Sequence, residues 1–179
     1  HAGVSPEKGI NAVKIAAEAI AQMNLGRIDH ETTANVGLIK GGTATNIVPE
    51  LCTANCEIRS LDPDKLKTQV DQMIAAAQNA AAKYGTKVDI HLEDSYPAFK
   101  IPESDPVIQL AVKAAEAIGI TPQIKGTGGG SDASILNGKN LPSVVLGLNY
   151  QDVHSTNESI AIADLVRAAE LVVSIIEHA

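Results

Sequence analysis

The sequence predicts a mixed α/β chain in two parts, and three observations carry that expectation. Residues 1–95 give the order helix, strand, strand, helix, strand, with period-2 alternation in the strands and an apolar stripe along the helices. Pro97 and Pro102 interrupt this pattern. Beyond them, helices alternate with short apolar runs, as in a parallel sheet covered by helices. One strand ahead of His1 would complete a βαββαβ ferredoxin-like sandwich in the first part. Two strands are too few for a stable sheet in the second part, which is expected to complete a sheet begun upstream. The expected domains are residues 1–97, a sandwich lacking its first strand, and residues 98–179, the C-terminal part of an α/β domain. The start at His1-Ala2-Gly3, without methionine or leader, adds the expectation that the chain is a fragment.

Each element has its own signal. Ser5-Pro6-Glu7 reads as a helix start, with Ile10, Val13, Ile20 and Met23 at helical spacing and Gly26 at the end. Thr32–Lys40 alternates as a strand and breaks at Gly41-Gly42. A second strand runs from Glu50 to Ser60, with Cys52, Ala54, Cys56 and Ile58 on its expected buried face. Asp62-Pro63-Asp64 opens a helix whose stripe is Leu66, Val70, Met73, Ala77, Ala81 and Tyr84, closed by Gly85. Lys87–Glu93 alternates again. In the second part, Ser104-Asp105-Pro106 caps a helix through Ile118, and Gln123–Lys125 is a short strand. A glycine loop, a short helix at Ala133–Leu136, a strand at Ser143–Leu148, a loop bearing His154 and a helix from Ile162 to His178 complete the chain.

Composition narrows the function. Hydrophobic residues make up 45% but aromatics only 2%, so burial rests on Ala, Val, Ile and Leu. A net charge of -7 and a pI near 5.1 argue against nucleic acid or an acidic membrane surface. No apolar run approaches the ~20 residues that span a bilayer. Cys52 and Cys56 lie four residues apart in an extended segment, too distant to bridge, and two unpaired thiols point to a reducing cytoplasm.

The candidate motifs each have a plain alternative. His154 follows an apolar strand pattern, where α/β proteins place chemistry, yet no H-x-H or H-E-x-x-H accompanies it. It is either structural or one member of a site completed elsewhere. Gly126–Gly130 is a flexible turn or an anion cradle, and it fits neither a Walker loop nor G-x-G-x-x-G. Ser131 is expected to cap the next helix rather than serve a triad with Asp152 and His154, because no G-x-S-x-G elbow is present. The polar run Gly41–Glu50 is a hairpin loop with Asn46 in left-handed geometry, or a binding loop presenting an amide. Arg59 grips a carboxylate or pairs with Asp62. His30, His91 and His178 are expected at the surface.

Five motifs together resemble one family. They are His1-Ala2-Gly3-Val4, Gly42-Thr43-Ala44-Thr45-Asn46-Ile47-Val48-Pro49, Cys56-Glu57-Ile58-Arg59, Gly129-Gly130-Ser131-Asp132-Ala133 and Val153-His154-Ser155-Thr156-Asn157-Glu158. Their order is that of the dinuclear zinc exopeptidases with an inserted lid domain, and the chain resembles the peptidase T and peptidase T-like branch. The resemblance covers essentially all 179 residues. It implies a ferredoxin-like dimerisation lid followed by the C-terminal part of the catalytic domain, with most zinc ligands upstream.

By that resemblance His154 is the last zinc ligand, one donor to a site of two zinc ions. His1 is the lid histidine that reaches the partner subunit's site and stabilises the oxyanion. Asn46 contacts substrate, Arg59 is a weaker match for a grip on its carboxylate, and Gly129, Gly130 and Ser131 line the substrate pocket. An arginine precedes the paired glycines in tripeptidases of the family, whereas Gly128 stands there in this sequence, against strict tripeptide specificity. The implied parent is a cytoplasmic homodimer cleaving short peptides, and the fragment alone is expected to be inactive. The residues by themselves also admit a non-catalytic ferredoxin-like ligand-binding module or a phosphate-binding α/β domain.

Overall fold

Asn11 decides where the first helix begins. Its side chain accepts the Lys14 N–H at 2.9 Å, and α1 runs Ala12–Ala21. The expected start at Ser5 yields only a 3-10 turn at Pro6–Lys8, and Ser5 makes no side-chain cap bond. Gly9 is extended instead, because the chain there packs on the loop at 42–50: a Cβ on Gly9 would lie 3.0 Å from a Val48 methyl, and Ala12 N–H donates to the Pro49 carbonyl at 2.9 Å. Tertiary contact has overridden the local capping signal.

The computed structural model describes residues 1–179, in two units, His1–Ala98 and Phe99–Ala179. In the first, β1 (Gly26–Arg27), β2 (Thr32–Gly41) and β3 (Cys52–Ser60) form an antiparallel sheet in the order β1-β2-β3. Register runs from Thr32 opposite Ser60 to Gly41 opposite Cys52, with a bulge between Val36 and Leu38. Asp29 folds the β1–β2 turn by accepting the N–H groups of Glu31 at 2.9 Å and Thr32 at 2.8 Å.

Helix α2 (Pro63–Lys83) starts at Asp62, whose carboxylate accepts from the N–H groups of Asp64 and Lys65. Gly85 follows in the left-handed region at φ 67°, the conformation a helix C-cap glycine takes without a Cβ penalty. Ile15 and Ala19 of α1 pack on Ala77 and Ala80 of α2, with Met23 and Tyr84 at the margin. Gln69 and Gln72 donate to the carbonyls of Asn24 and Gln22, satisfying the open end of α1. On the sheet, Thr32 and Ala34 of β2 are buried. Ile58 lies opposite Ala34, but Ala54 and Cys56, expected inside, are exposed because nothing in this unit covers that end of β3.

In the second unit, α3 (Pro106–Ala117) is capped by Asp105 and closed by Gly119 at φ 74°. It packs on α5 (Ile162–His178), where buried Ser174 donates to the Ala114 carbonyl at 2.9 Å. The short α4 spans Asp132–Gly138, and Asn137 ties it to Ser143 through two hydrogen bonds. His178 is half-buried rather than on the surface, its Nδ1 bonded to the Ser174 carbonyl. Ile162 and Ile176 of α5 are 81% and 70% exposed, an apolar face without cover in this chain.

Three expected strands are absent. Lys87–Glu93, Gln123–Lys125 and Ser143–Leu148 carry the right residues but form no ladder. A strand exists only where its N–H and C=O groups find a partner, and these segments find none here. Val88, Ile90 and Leu92 accordingly remain exposed.

Two expected outcomes follow from this packing. A Cβ on Gly41 would sit 2.5 Å from Val13 Cγ2 and 2.9 Å from Cys52 Sγ, so Gly41→Ala should cost ~1–3 kcal/mol in urea unfolding. Adding Val13→Ala should recover part of that loss, and a double-mutant cycle without coupling would refute the close approach. The second concerns Asp29. The Glu31 N–H, with further help from Lys65 and Thr32, holds its carboxyl well below the usual carboxylate range. The folded value thus lies below the unfolded one near ~3.9, so the ionised group stabilises the fold above about pH 4 and less as pH falls toward its folded value. Asp29→Asn should therefore lower the urea midpoint at pH 6, with the gap to wild type closing toward pH 2. A gap independent of pH would remove the charge from the explanation.

Candidate functional site

The first unit brings His1 and Asn46 together. Ala2 N–H donates to the Asn46 carbonyl at 2.9 Å, which ties the start of the chain to the 42–50 loop. Gly42 leaves the sheet at φ 76°, packed on Pro49, so the loop folds back on the segment it must contact. Asn46 is exposed and is not left-handed, contrary to the expectation for a hairpin loop, and its amide side chain stays on the surface. His1 is also exposed. Its Nδ1 accepts the Gly3 N–H at 3.1 Å, and its carbonyl accepts from Val4 and Ser5. A neutral imidazole accepting at Nδ1 carries its proton on Nε2, so the outward nitrogen is a donor.

Arg59 belongs to another part of the sheet. It pairs with Thr33, whereas Cys52, at the loop end of the same strand, pairs with Gly41. Seven residues of strand separate these positions by ~23 Å at ~3.3 Å each. Its guanidinium bonds Glu57, two residues back on the same face, with Nε at 2.8 Å from the carboxylate. The contact follows from strand geometry, because alternate residues of a strand share a face.

In the second unit Gly129 N–H donates to Thr127 Oγ1 at 3.2 Å. Ser131 occupies the N-cap position of α4 but makes no cap bond through its side chain, contrary to expectation. Gly128 and Gly129 are not in the left-handed region, and a Cβ on either would meet nothing closer than 3.5 Å. The fold of this unit therefore does not itself require glycine at those two positions.

His154 stands in a tightly tied turn. Its backbone is left-handed at φ 63°, as are Asp152 at 52° and Asn149 at 53°. Gln151 and Ser159 close the base by a bridge of two hydrogen bonds, 2.8 and 3.2 Å. The Asp152 carbonyl accepts from both the N–H and the hydroxyl of Ser155. Glu158 accepts the His154 N–H at 2.8 Å. Glu158 is a member of the Val153–Glu158 motif with no role evident in the sequence, and its only signal there is the four-residue spacing from His154.

As a metal donor, the exposed imidazole of His154 is the right type, a neutral nitrogen ligand. His154 belongs to no group of three or more His, Cys or carboxylate ligand atoms in this chain. The group that does gather three candidate ligand atoms, within 4.8 Å, is Asp29, His30 and Glu31 in the first unit. Lys65 already satisfies it, with Nζ 3.2 Å from Asp29 and 2.6 Å from Glu31. A cleft of about 250 Å³ between Lys100, Pro102, Asp105, Asn137 and Pro142 contains none of the expected site residues.

Comparison with known proteins gives these features a context. Residues 1–85 match the family model of the M20 peptidase dimerisation domain. The chain is 48% identical over 179 residues to the uncharacterized protein YqjE of Bacillus subtilis (strain 168), covering 100% of this chain and 48% of that protein. Among solved structures it is similar to aminopeptidase PepT of Bacillus cereus ATCC 10987, at TM-score 0.82 and 48% identity over 99% of this chain and 48% of that one. A tripeptidase of Staphylococcus aureus subsp. aureus Mu50 superposes at TM-score 0.86 with 42% identity, over 97% of this chain and 46% of that one. The fold extends, at 19% identity and TM-score 0.66, to a Bacillus subtilis protein described as a dinuclear metal binding peptidase of the M20 family, over 93% of this chain and 45% of that one. The chain spans about half the length of the curated relatives it matches. The chain is thus homologous to peptidase T along nearly its whole length, and its residues 1–85 are similar to the dimerisation domain of the M20 peptidases.

Proposed function

We propose that the whole protein is a zinc-dependent aminopeptidase of the peptidase T kind, acting on short peptides as a cytoplasmic homodimer. The observation that carries this reading is His154: a bare imidazole on a turn constrained by several hydrogen bonds, in a chain homologous to peptidase T. A side chain presented this way suits a ligand to a metal whose other donors come from elsewhere. The metal, when bound, supplies Lewis acidity and an activated water.

The remaining roles fall to residues of both units. His1, with its Nε2–H turned outward by the Gly3 contact, donates a hydrogen bond to the carbonyl oxygen as negative charge develops on it. It does so in the site of the partner subunit, since residues 1–85 are similar to a dimerisation domain. Asn46, fixed beside His1 by the Ala2 contact, offers its amide to the peptide backbone. Gly129, Gly130 and Ser131 line the pocket, where small residues let the substrate approach closely. Arg59 is the weakest of the set, because Glu57 already engages its guanidinium and it lies far from Asn46 along β3. The uncovered apolar face of α5 packs against further chain in the complete enzyme.

Two outcomes test the reading. In the complete enzyme His154→Ala should lose zinc and activity together. The 179-residue chain by itself should bind zinc weakly in calorimetry, because tight sites need three or four protein ligands. A tight stoichiometric site in this chain alone, or full zinc content in His154→Ala, would refute the ligand role. His1→Ala should keep its zinc and lose ~100- to 1,000-fold in kcat with little change in KM. Mixing His1→Ala with His154→Ala subunits should then restore part of the activity. No recovery despite confirmed subunit exchange would exclude action across the dimer.

A further inference from the structure

We propose that Glu158 is the positioning residue for His154: its carboxylate holds the His154 N–H and so fixes the left-handed backbone from which the imidazole is presented. The inference rests on His154 being a metal ligand, and it adds the device that aims it.

The turn from Asn149 to Ser159 is an unfavourable one to form. Three of its residues, none of them glycine, occupy the left-handed region, where Cβ crowds the neighbouring carbonyl. Such conformations persist only where surrounding contacts over-determine them, and they concentrate at functional sites. Most of the contacts that hold this turn act on its flanks. Gln151 and Ser159 pair across its base, and the Asn149 side-chain amide donates to Asp164 Oδ2 at 2.9 Å, in the first turn of α5. The Asp152 carbonyl is met by Ser155, and the Ser155 hydroxyl in turn accepts the Asn157 N–H at 3.1 Å.

His154 itself is held by a side chain at one point, the N–H to Glu158 Oε2 bond. A bond from a backbone N–H to an ionised carboxylate is charge-assisted and stronger than a neutral one. The direction of the Cα–Cβ bond follows from φ and ψ. A His154 released into the right-handed region would point its ring elsewhere, and a ligand that must meet other donors within a few tenths of an ångström cannot tolerate that. Glu158 can do this because the turn brings the fourth residue back over the first, and because its own N–H is occupied by the Ser155 carbonyl.

The test compares Glu158→Ala with Glu158→Gln, since a glutamine oxygen can still accept the N–H whereas alanine cannot. In the 179-residue chain without metal, NMR should show that Glu158→Ala takes the His154 backbone shifts out of the left-handed range and speeds exchange of its amide by about tenfold or more. Glu158→Gln should keep both near wild type. In the complete enzyme, Glu158→Ala should weaken zinc binding roughly 10- to 100-fold, as losses of supporting contacts do, with Glu158→Gln close to wild type. Unchanged His154 signals in Glu158→Ala would overturn the proposal. Equal loss of zinc in the Gln and Ala variants would also overturn it, because Glu158 would then be acting as a ligand. Full zinc in His154→Ala would remove the ligand reading alone, leaving the NMR comparison to decide whether Glu158 fixes the turn.

Discussion

Close packing of alanines is the constraint on which the first unit depends. With so few aromatic residues in the chain, the α1–α2 contact is made by Ala19, Ala77 and Ala80 around Ile15, and the two helices approach closely because these side chains are small. The same economy governs the sheet, where buried Ala34 lies on β2 and Gly41 admits Val13 of α1. Once α1 is seated, Ala12 takes the Pro49 carbonyl and Gly9 takes Val48, and the 42–50 loop is drawn over the start of the chain. The bond from Ala2 to the Asn46 carbonyl is therefore a late consequence of how closely two helices and a strand can pack.

Hydrogen bonds then finish what packing begins. Gln69 and Gln72 close the end of α1, Asp29 shapes the turn between two strands, and Asn137 secures Ser143 to α4. In each case a side chain supplies the partner that a backbone group would otherwise lack. The Asp29 turn shows why an acidic cluster need not be a metal site. Lys65 balances Asp29 and Glu31, and the lysine is itself stabilised in its charged form by those two carboxylates, Glu31 foremost.

The sequence was most legible where a signal is local. Asp62 and Asp105 cap their helices as their positions predict, Gly85 and Gly119 close them, and β2 and β3 pair along the alternating residues. It was least legible where structure depends on a distant partner. Ser5 lost its helix to the contact between Gly9 and Val48. Three expected strands, at Lys87–Glu93, Gln123–Lys125 and Ser143–Leu148, did not form because a ladder needs a second chain segment that a local pattern does not reveal. The site was legible to a similar degree. The motif containing His154 was visible, but the left-handed backbone beneath it was not, because nothing in histidine's side chain predicts φ 63°.

His1 and His154 are presented by the same principle, in opposite arrangements. At His1 the backbone of Gly3 binds the ring, which fixes the tautomer and leaves Nε2 to donate. At His154 a side chain binds the backbone, which fixes the direction of the ring and leaves its nitrogens unassigned. A group that must donate to a developing oxyanion needs its proton on a known atom, whereas a ligand needs its lone pair aimed at a fixed point. The difference in what is held, the proton in one case and the backbone in the other, matches the difference in the chemistry proposed for each. Neither arrangement requires burial, and both histidines are exposed.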